Sequence, residues 1–361
     1  MNFTTNNQCD QCCGYPYYVY HNNSGFFFLG EPVCNVREGM QFDEVYTRML
    51  FVRDWVLTIG HVFGILFNVF HALVLSRKAM RELPVFILML AICLLDIVYF
   101  TFSLPTYAPW PEKEIFKCAL TKPYFICFMN IYFGAIMEST RRAASWLAMF
   151  MSFYRTLSIK FPMSTRIQKV SKPIVAIMTT FVVTVVASLA TIYVVKDKKI
   201  MPVVYEYSCR KKKIRLDNSP RFMVVLYGHY HEVPAYMVML AIYMFIHSIP
   251  SIAYLILTLM LVSELRKVAA RRKNLQREEE ASSGNTNKIV LFMTGSFLIA
   301  DLPNTFSNIV EYVFGSYSFL IDTINGFSPI FPIINSCSHV FLFYFLSSQY
   351  RDTAKQLFCR K

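Results

Sequence analysis

The chain has 361 residues, of which 55% are apolar and only 16% are charged, and its formal net charge is +13. Soluble domains carry roughly 25% charged residues, so this composition excludes an ordinary soluble globular protein. The apolar residues form blocks close to the length of about 20 residues that a helix needs to cross a bilayer core of about 30 Å. The sequence therefore predicts a multi-pass protein of the plasma membrane, with the lipid bilayer and not nucleic acid among its partners.

Seven apolar blocks predict an all-α fold, a bundle of seven transmembrane helices. The third block is the longest. It is also the least apolar, because it contains Glu138, Arg141 and Arg142. If that block did not span the membrane, six helices would remain and both ends of the chain would face the same side. The predicted spans are residues 55–76, 84–107, 124–159, 173–195, 233–262, 288–313 and 327–346.

Basic residues after the first block predict the orientation of the bundle. The sequence "SRKAMRE" follows that block, and lysine and arginine near a span favour the cytoplasmic side. The N-terminus is therefore expected outside, which makes residues 1–54 an extracellular segment, 55–346 the bundle and 347–361 a cytoplasmic tail. Two sequons in the extracellular segment, at Asn2 and Asn22, are glycosylation candidates.

The segments after the fifth and seventh blocks carry two further expectations. Residues 264–287 begin as a basic continuation of the fifth helix and are expected to break at a flexible "SSGN". In the tail, Tyr350, Ala354, Leu357 and Phe358 share one face of a helix. This pattern predicts a short amphipathic helix on the inner leaflet, and Cys359 at its end is a palmitoylation candidate.

Charged side chains at membrane depth are costly and mark functional positions. Glu138, Arg141 and Arg142 occupy one helical stripe roughly 100° wide, and Asp301 lies at a similar depth, about 20 Å above the inner end of its helix. In one interpretation Glu138 pairs with Arg142, and Asp301 pairs with one of the arginines, which braces the third helix against the sixth. In the other, an arginine stays available to a carboxylate or sulfate of a ligand, so these four residues are the candidate ligand pocket.

A second polar group, Asp96 with Asn68, Asn335 and Ser338, is expected deeper in the bundle. It forms either a satisfied hydrogen-bond network or a site for water or a sodium ion. We find no Ser/His/Asp grouping, Gly-rich phosphate loop or cysteine and histidine spacing typical of zinc in the sequence. The sequence therefore predicts neither an enzyme nor a metalloprotein.

Several markers appear in the order known from rhodopsin-like G-protein-coupled receptors. Asn68 lies in "GILFN", Asp96 in "LAICLLD" and Arg155 in "SFYRTLSIKFPMS", and Pro250 and Pro303 interrupt the fifth and sixth spans. Within that superfamily, "RRAASWLAMFMSFYRTLSIKFPMS" and "NSCSHVFLFYFLSSQYR" resemble the nematode serpentine receptors of class W, which are similar to FMRFamide and sex-peptide receptors. The resemblance covers about residues 55–358.

The resemblance implies a receptor for an extracellular ligand that signals through a heterotrimeric G protein. A neuropeptide is the expected ligand, with a chemosensory small molecule as the alternative. It also implies a disulfide between Cys118 and Cys209, with Cys127 as the fallback partner. A membrane transporter, the hypothesis from another class, would need a continuous polar path, whereas the inner third of the helices is mostly apolar. The residues implied in activation and coupling are Asn68, Asp96, Arg155, Lys160, Pro303 and Asn335, together with the basic run 271–273.

The chain departs from the receptor pattern at three places. Arg155 stands between Tyr154 and Thr156, without the usual preceding carboxylate. Residues 339–343 read His-Val-Phe-Leu-Phe where the pattern is Asn-Pro-x-x-Tyr, so the proline and the tyrosine hydroxyl are both missing. Asp301 replaces the tryptophan before the sixth-helix proline. The resemblance to class W includes the paired arginines, so we expect them to serve the bundle first and the ligand second.

Overall fold

The computed structural model describes residues 17–21, 25–29, 39–82, 84–108, 124–161, 164–165, 172–195, 198–202, 222–226, 233–274, 281–314, 324 and 326–358. Within these residues the chain forms seven long helices followed by a short eighth. Their bounds are α1 Gly39–Leu75, α2 Pro84–Tyr107, α3 Tyr124–Lys160, α4 Pro173–Val195, α5 Val233–Asn274, α6 Ala281–Phe314, α7 Ile330–Leu346 and α8 Ser348–Phe358. The predicted seven-helix bundle and the helix after the seventh span are confirmed.

The predicted spans at 84–107 and 173–195 coincide with α2 and α4, whereas α1, α5 and α6 are longer than expected and α7 begins three residues later than expected. Helix α1 begins at Gly39 and α5 continues to Asn274, since both extensions are rich in good helix formers that an apolar-block criterion does not detect. The "SSGN" at 282–285, expected to be flexible, lies in the first turns of α6. Serine and asparagine are favoured near a helix start, which explains why this segment does not break the helix.

Two short hairpins lie outside the all-α prediction. β1 Tyr17–His21 pairs antiparallel with β2 Gly25–Leu29, and β3 Lys198–Pro202 pairs antiparallel with β4 Phe222–Leu226. These strands are rich in Tyr, Phe, Val and Met, among them the aromatic and β-branched residues that favour strands. The second hairpin lies between α4 and α5 in the chain and contacts α3.

Helix α3 is the centre of the bundle, because it packs against α2, α4, α5 and α6. Helix α1 packs on the other side of α2 and also contacts α7 and α8. The main core combines fully buried residues of several helices, including Phe86, Leu147 and Phe343. A smaller cluster of Leu57, Tyr99, Phe100 and Ile333 joins α1, α2 and α7.

Two glycines let α1 approach its neighbours closely. A Cβ atom on Gly64 would lie 2.7 Å from the ring of Phe100 in α2, and one on Gly60 would lie 2.9 Å from the side chain of Ile333 in α7. Small residues at such contacts allow helices in membranes to pack backbone against side chain. The position of α1 therefore depends on the absence of side chains at these two positions.

By length and apolar composition, four helices of the described residues can cross a membrane: Phe51–Leu75, Pro84–Tyr107, Pro173–Ile192 and Ser248–Val268. A fifth candidate joins Ile330–Leu346 to Ser348–Leu357 across a bend of 101°. Helix α3 is not among them, and it is the helix that carries Glu138, Arg141 and Arg142.

Candidate functional site

An ion pair joins α3 to α6. The guanidinium of Arg141 donates from Nη2 to Oδ1 of Asp301 at 2.5 Å and to the backbone oxygen of Ala300 at 3.4 Å. The hydroxyl of Ser145, one turn after Arg141, donates to the other carboxylate oxygen of Asp301 at 2.7 Å. Both oxygens of Asp301 therefore accept hydrogen bonds from α3.

A second ion pair lies within α3 itself. Arg142 donates from Nη2 to Oε1 of Glu138 at 3.1 Å, as expected for residues one helical turn apart. The two partners differ in exposure, since the side chain of Arg142 is 3% exposed and that of Glu138 is 37% exposed. Each of the two arginines is therefore paired with a carboxylate. Of the two interpretations that the sequence left open, this arrangement corresponds to the one in which the charges brace α3 against α6.

Helical periodicity explains why α3 presents these groups together. Glu138, Arg141, Arg142 and Ser145 recur at spacings of three and four residues, so they share one face. Charges of this kind are tolerated in a membrane when they face the protein and pair with one another. Ser145 was missed by the sequence analysis, although its position one turn after Arg141 was a usable signal.

A polar chain links α1, α2 and α7. Asn68 donates from Nδ2 to the backbone oxygen of Gly64 at 2.7 Å and to Oγ of Ser336 at 2.5 Å, and Ser336 donates to Oδ2 of Asp96 at 2.7 Å. Ser336 therefore joins Asn68 and Asp96, a role that the sequence analysis had given in part to Ser338. The hydroxyl of Ser338 instead donates to the backbone of Asn335 in its own helix, because it projects from a different side of α7.

The hydrogen-bonded group of Asn68, Ser336 and Asp96 offers oxygen atoms of the kind that bind a hard monovalent cation. The Oδ1 atom of Asn68 is buried and has no hydrogen-bond partner among the described residues, and Ser336 links Asn68 to the Asp96 carboxylate. Asn335 was also expected in this group, and its Oδ1 atom is buried, but in the part of the chain that the structure describes no hydrogen bond joins its side chain to Asn68, Ser336 or Asp96. Hard cations prefer carboxylate, carbonyl and hydroxyl oxygens. The described residues contain no cluster of three or more His, Cys, Asp or Glu that could hold a metal.

The C-terminal part of α3 carries the residues implied in coupling. Nε of Arg155 is buried and has no hydrogen-bond partner in the part of the chain that the structure describes. Its neighbour Tyr154 shares a hydrogen bond of 2.6 Å with Thr179 of α4. Lys160, the last residue of α3, is exposed. In α6, Pro303 lies inside the helix, two residues after Asp301.

An apolar groove between α3 and α4 is separate from these charges. Its cavity volume is about 350 Å³. The lining residues are Phe150, Ile174, Val175, Met178, Thr179, Val182 and Val183, with no charged side chain among them. Several of them are exposed on the surface of the bundle, so the groove faces the surroundings and not the ion pairs.

Other predicted site residues fall outside the description. Asn2, Asn22, Cys118, Cys209 and Cys359 are not among the described residues, and Cys127 is buried near the start of α3. The disulfide, glycosylation and palmitoylation predictions therefore stay predictions.

A comparison with protein-family models matches residues 56–361 to the family described as serpentine type 7TM GPCR chemoreceptor Srw. This match includes all of α2 to α8 and most of the apolar part of α1. No curated protein matches the chain.

Proposed function

The chain belongs to the serpentine type 7TM GPCR chemoreceptor Srw family, and on that basis we propose that an extracellular neuropeptide activates it and that its inner surface engages a heterotrimeric G protein. A chemosensory small molecule is the second candidate ligand, which the description of the family favours. In both cases the N-terminus lies outside the cell. The observation that carries the proposal is the polar link between α3 and α6 through Arg141, Ser145 and Asp301.

This link gives a ligand a place at which to act on the bundle. A ligand shifts a conformational equilibrium only by binding one state more tightly than another. The contacts of Asp301 with α3 hold α6 at a point two residues before Pro303. A proline inside a helix removes a backbone hydrogen bond and allows the helix to bend. A ligand that rearranges the contacts of α3 with Asp301 therefore changes the position of α6.

The exposure of the four charges supports a ligand with a cationic group. Glu138 is 37% exposed, against 21% for Arg141, 16% for Asp301 and 3% for Arg142. A ligand that reaches this stripe meets a carboxylate most readily, whereas an anion would compete with Asp301 or Glu138 for arginines that are already paired. The ammonium of a peptide N-terminus or an arginine side chain fits this requirement, which favours a peptide over an apolar odorant.

The remaining assignments belong to the same proposal. Arg155, Lys160 and the basic run 271–273 contact the G protein, since they lie at the end of α3 and in the extension of α5. Asn68, Asp96 and Asn335 form the activation network, with a sodium ion near Asp96. The proposal also includes modifications of residues that lie outside the described ranges. These are a disulfide between Cys118 and Cys209, glycosylation at Asn2 and Asn22, and palmitoylation at Cys359.

The test is a ligand screen in cells that co-express the chain with a promiscuous G protein. One library contains peptides that carry arginine or a free N-terminus, and matched libraries contain acetylated peptides with citrulline and a set of volatile molecules. Responses to the cationic peptides are expected. Responses to volatiles alone would favour the chemosensory alternative. Silence in all libraries together with solute flux into the cells would contradict a receptor and favour a transporter.

A further inference from the structure

Helix α8 places a tyrosine hydroxyl in the core beside position 343 of α7, where the receptor pattern has a tyrosine and this chain has Phe343. Tyr350 of α8 is fully buried, and its ring centroid lies 5.6 Å from that of Phe343. The ring of Phe343 in turn lies 5.8 Å from that of Phe86 in α2. A tyrosine therefore enters the core beside this position, but it comes from the following helix.

The hydroxyl of Tyr350 has a buried partner on α1. Nδ1 of His71 lies 2.8 Å from this hydroxyl, and the two groups share a hydrogen bond. The ring of His71 also packs against Phe343, with centroids 4.9 Å apart. Buried polar groups are costly unless they are hydrogen-bonded. This bond satisfies the Tyr350 hydroxyl and Nδ1 of His71, whereas Nε2 of His71 has no hydrogen-bond partner among the described residues. Burial raises the pKa of the Tyr350 hydroxyl.

The rest of α8 is attached to the same two helices. Gln349 donates from Nε2 to the backbone oxygen of Ala79, just after α1, at 2.8 Å. Arg351 donates to the backbone oxygens of Tyr344 and Phe345 at 3.1 and 2.9 Å, which satisfies carbonyls at the end of α7. The bend of 101° between α7 and α8 is therefore stabilised by Gln349, which bonds the segment after α1, and by Arg351, which bonds the end of α7.

The described part of the apolar face of α8 packs against the protein. Tyr350 and Ala354 belong to the main core of the protein, and Leu357 packs against that core. The opposite face exposes Asp352, Lys355 and Gln356. An amphipathic helix needs an apolar cover, and α1 and α7, which both contact α8, contribute to it here.

We propose that His71 and Tyr350 form a buried clamp that docks α8 against α1 and α7 and thereby positions the exposed face of α8 for the G protein. The docking itself follows from the contacts above, and only its role in coupling rests on the proposed function.

The first test is hydrogen exchange of the full-length protein in lipid nanodiscs. Tyr350→Phe removes the hydroxyl and keeps the ring, so the amides of α8 should exchange about ten-fold faster, the effect of one buried hydrogen bond. Tyr344→Phe is the matched control, because Tyr344 is exposed on α7, and it should leave exchange unchanged. Equal exchange in the two variants would overturn the clamp. So would release of α8 by Cys359→Ser alone, because lipidation would then hold the helix.

A double-mutant cycle separates the hydrogen bond from general destabilisation. Two residues that act through one bond give changes that are not additive. Combining His71→Phe with Tyr350→Phe should speed the exchange of α8 no more than the larger single change. His71→Asn, which keeps a polar atom near the position of Nδ1, should retain most of the protection. Additive effects, or no protection in His71→Asn, would contradict the clamp.

G-protein activation in membranes tests the coupling role. Nucleotide exchange on the G protein should fall several-fold in Tyr350→Phe and His71→Phe and stay at the wild-type level in Tyr344→Phe and His71→Asn, at equal amounts of receptor. Wild-type activation in all four variants would remove the coupling role. If the unmodified chain also fails to activate any G protein, the proposed function fails, while the exchange results still decide the clamp.

Discussion

Arg141 of α3 and Asp301 of α6 form an ion pair of 2.5 Å inside the bundle, and Ser145 completes the hydrogen bonding of the same carboxylate. This contact explains how a helix with three charges near its middle takes part in a membrane bundle. Each cation has a carboxylate partner, and the pair between helices fixes α6 relative to the central helix.

Removing one partner of this pair should destabilise the protein more than removing both. Asp301→Asn leaves Arg141 as an uncompensated charge, which costs about 3 kcal/mol at such sites. Arg141→Met combined with Asp301→Leu should recover much of that loss, because no unpaired charge remains. Thermal unfolding of the purified protein measures both.

The control for this prediction is Lys267→Met in α5. Lys267 pairs with Glu264 at 2.8 Å, but its side chain is 58% exposed, and exposed ion pairs contribute about 0–1 kcal/mol. If the Asp301→Asn and Lys267→Met variants unfolded at the same temperature, the pair between Arg141 and Asp301 would not brace the bundle.

Glu138→Gln should reduce the response to cationic ligands. A hydrogen bond between charged partners contributes about 1.5–3 kcal/mol, so the half-maximal concentration of a cationic peptide should rise at least about ten-fold. The response to a neutral analogue should change less. Glu264→Gln is the matched control, since this glutamate lies in the inner extension of α5, and it should keep the wild-type potency. Equal loss for cationic and neutral peptides would contradict a direct role of the carboxylate.

Gly64→Ala should destabilise the contact between α1 and α2. The new Cβ would lie 2.7 Å from the Phe100 ring, and overpacking of this kind costs about 1–3 kcal/mol. Gly134→Ala is the control, because nothing lies within 4 Å of its Cβ, and alanine favours a helix by roughly 1 kcal/mol over glycine. Gly64→Ala with Phe100→Leu should regain stability. A Gly64→Ala protein as stable as wild type would show that α1 does not approach α2 this closely.

Ser336→Ala should disconnect α1 from α2 at the polar chain. The hydroxyl of Ser336 accepts from Asn68 and donates to Asp96, so its removal leaves two buried groups without this partner and should cost about 1–3 kcal/mol of unfolding free energy. Ser338→Ala, two residues away, removes a bond within α7 only. Denaturation in detergent should show a larger loss of unfolding free energy for Ser336→Ala than for Ser338→Ala. A larger loss for Ser338→Ala would mean that the network depends on Ser338.

Sequence reasoning reached those features that depend on one segment at a time. The bounds of α2 and α4 are set by sharp changes of composition at Pro84 and Pro173, and the stripe on α3 follows from helical periodicity. The pairing of Asp301 with an arginine was one of the two interpretations that the sequence left open, and it rested on the similar depth of the two residues. In each case the period or length of a single helix carries the information.

The missed features depend on how helices are rotated against each other. Ser336 and Ser338 are equally polar in the sequence, and only the packing of α7 decides that Ser336 faces Asp96. His71 and Tyr350 are far apart in the chain, and neither has a local signal of its partner. The apolar face of α8 was visible, but amphipathicity does not say whether lipid or protein covers it.

The orientation of the two ends of the chain tests the account most directly, because seven crossings require α3 to pass through the membrane with its charges. An epitope tag at each end can be probed with antibodies on intact and on permeabilised cells. The account predicts that intact cells bind only the antibody against the N-terminal tag and that the C-terminal tag is reached only after permeabilisation. Detection of both tags on intact cells, or of neither, would mean an even number of crossings and would contradict the seven-helix receptor.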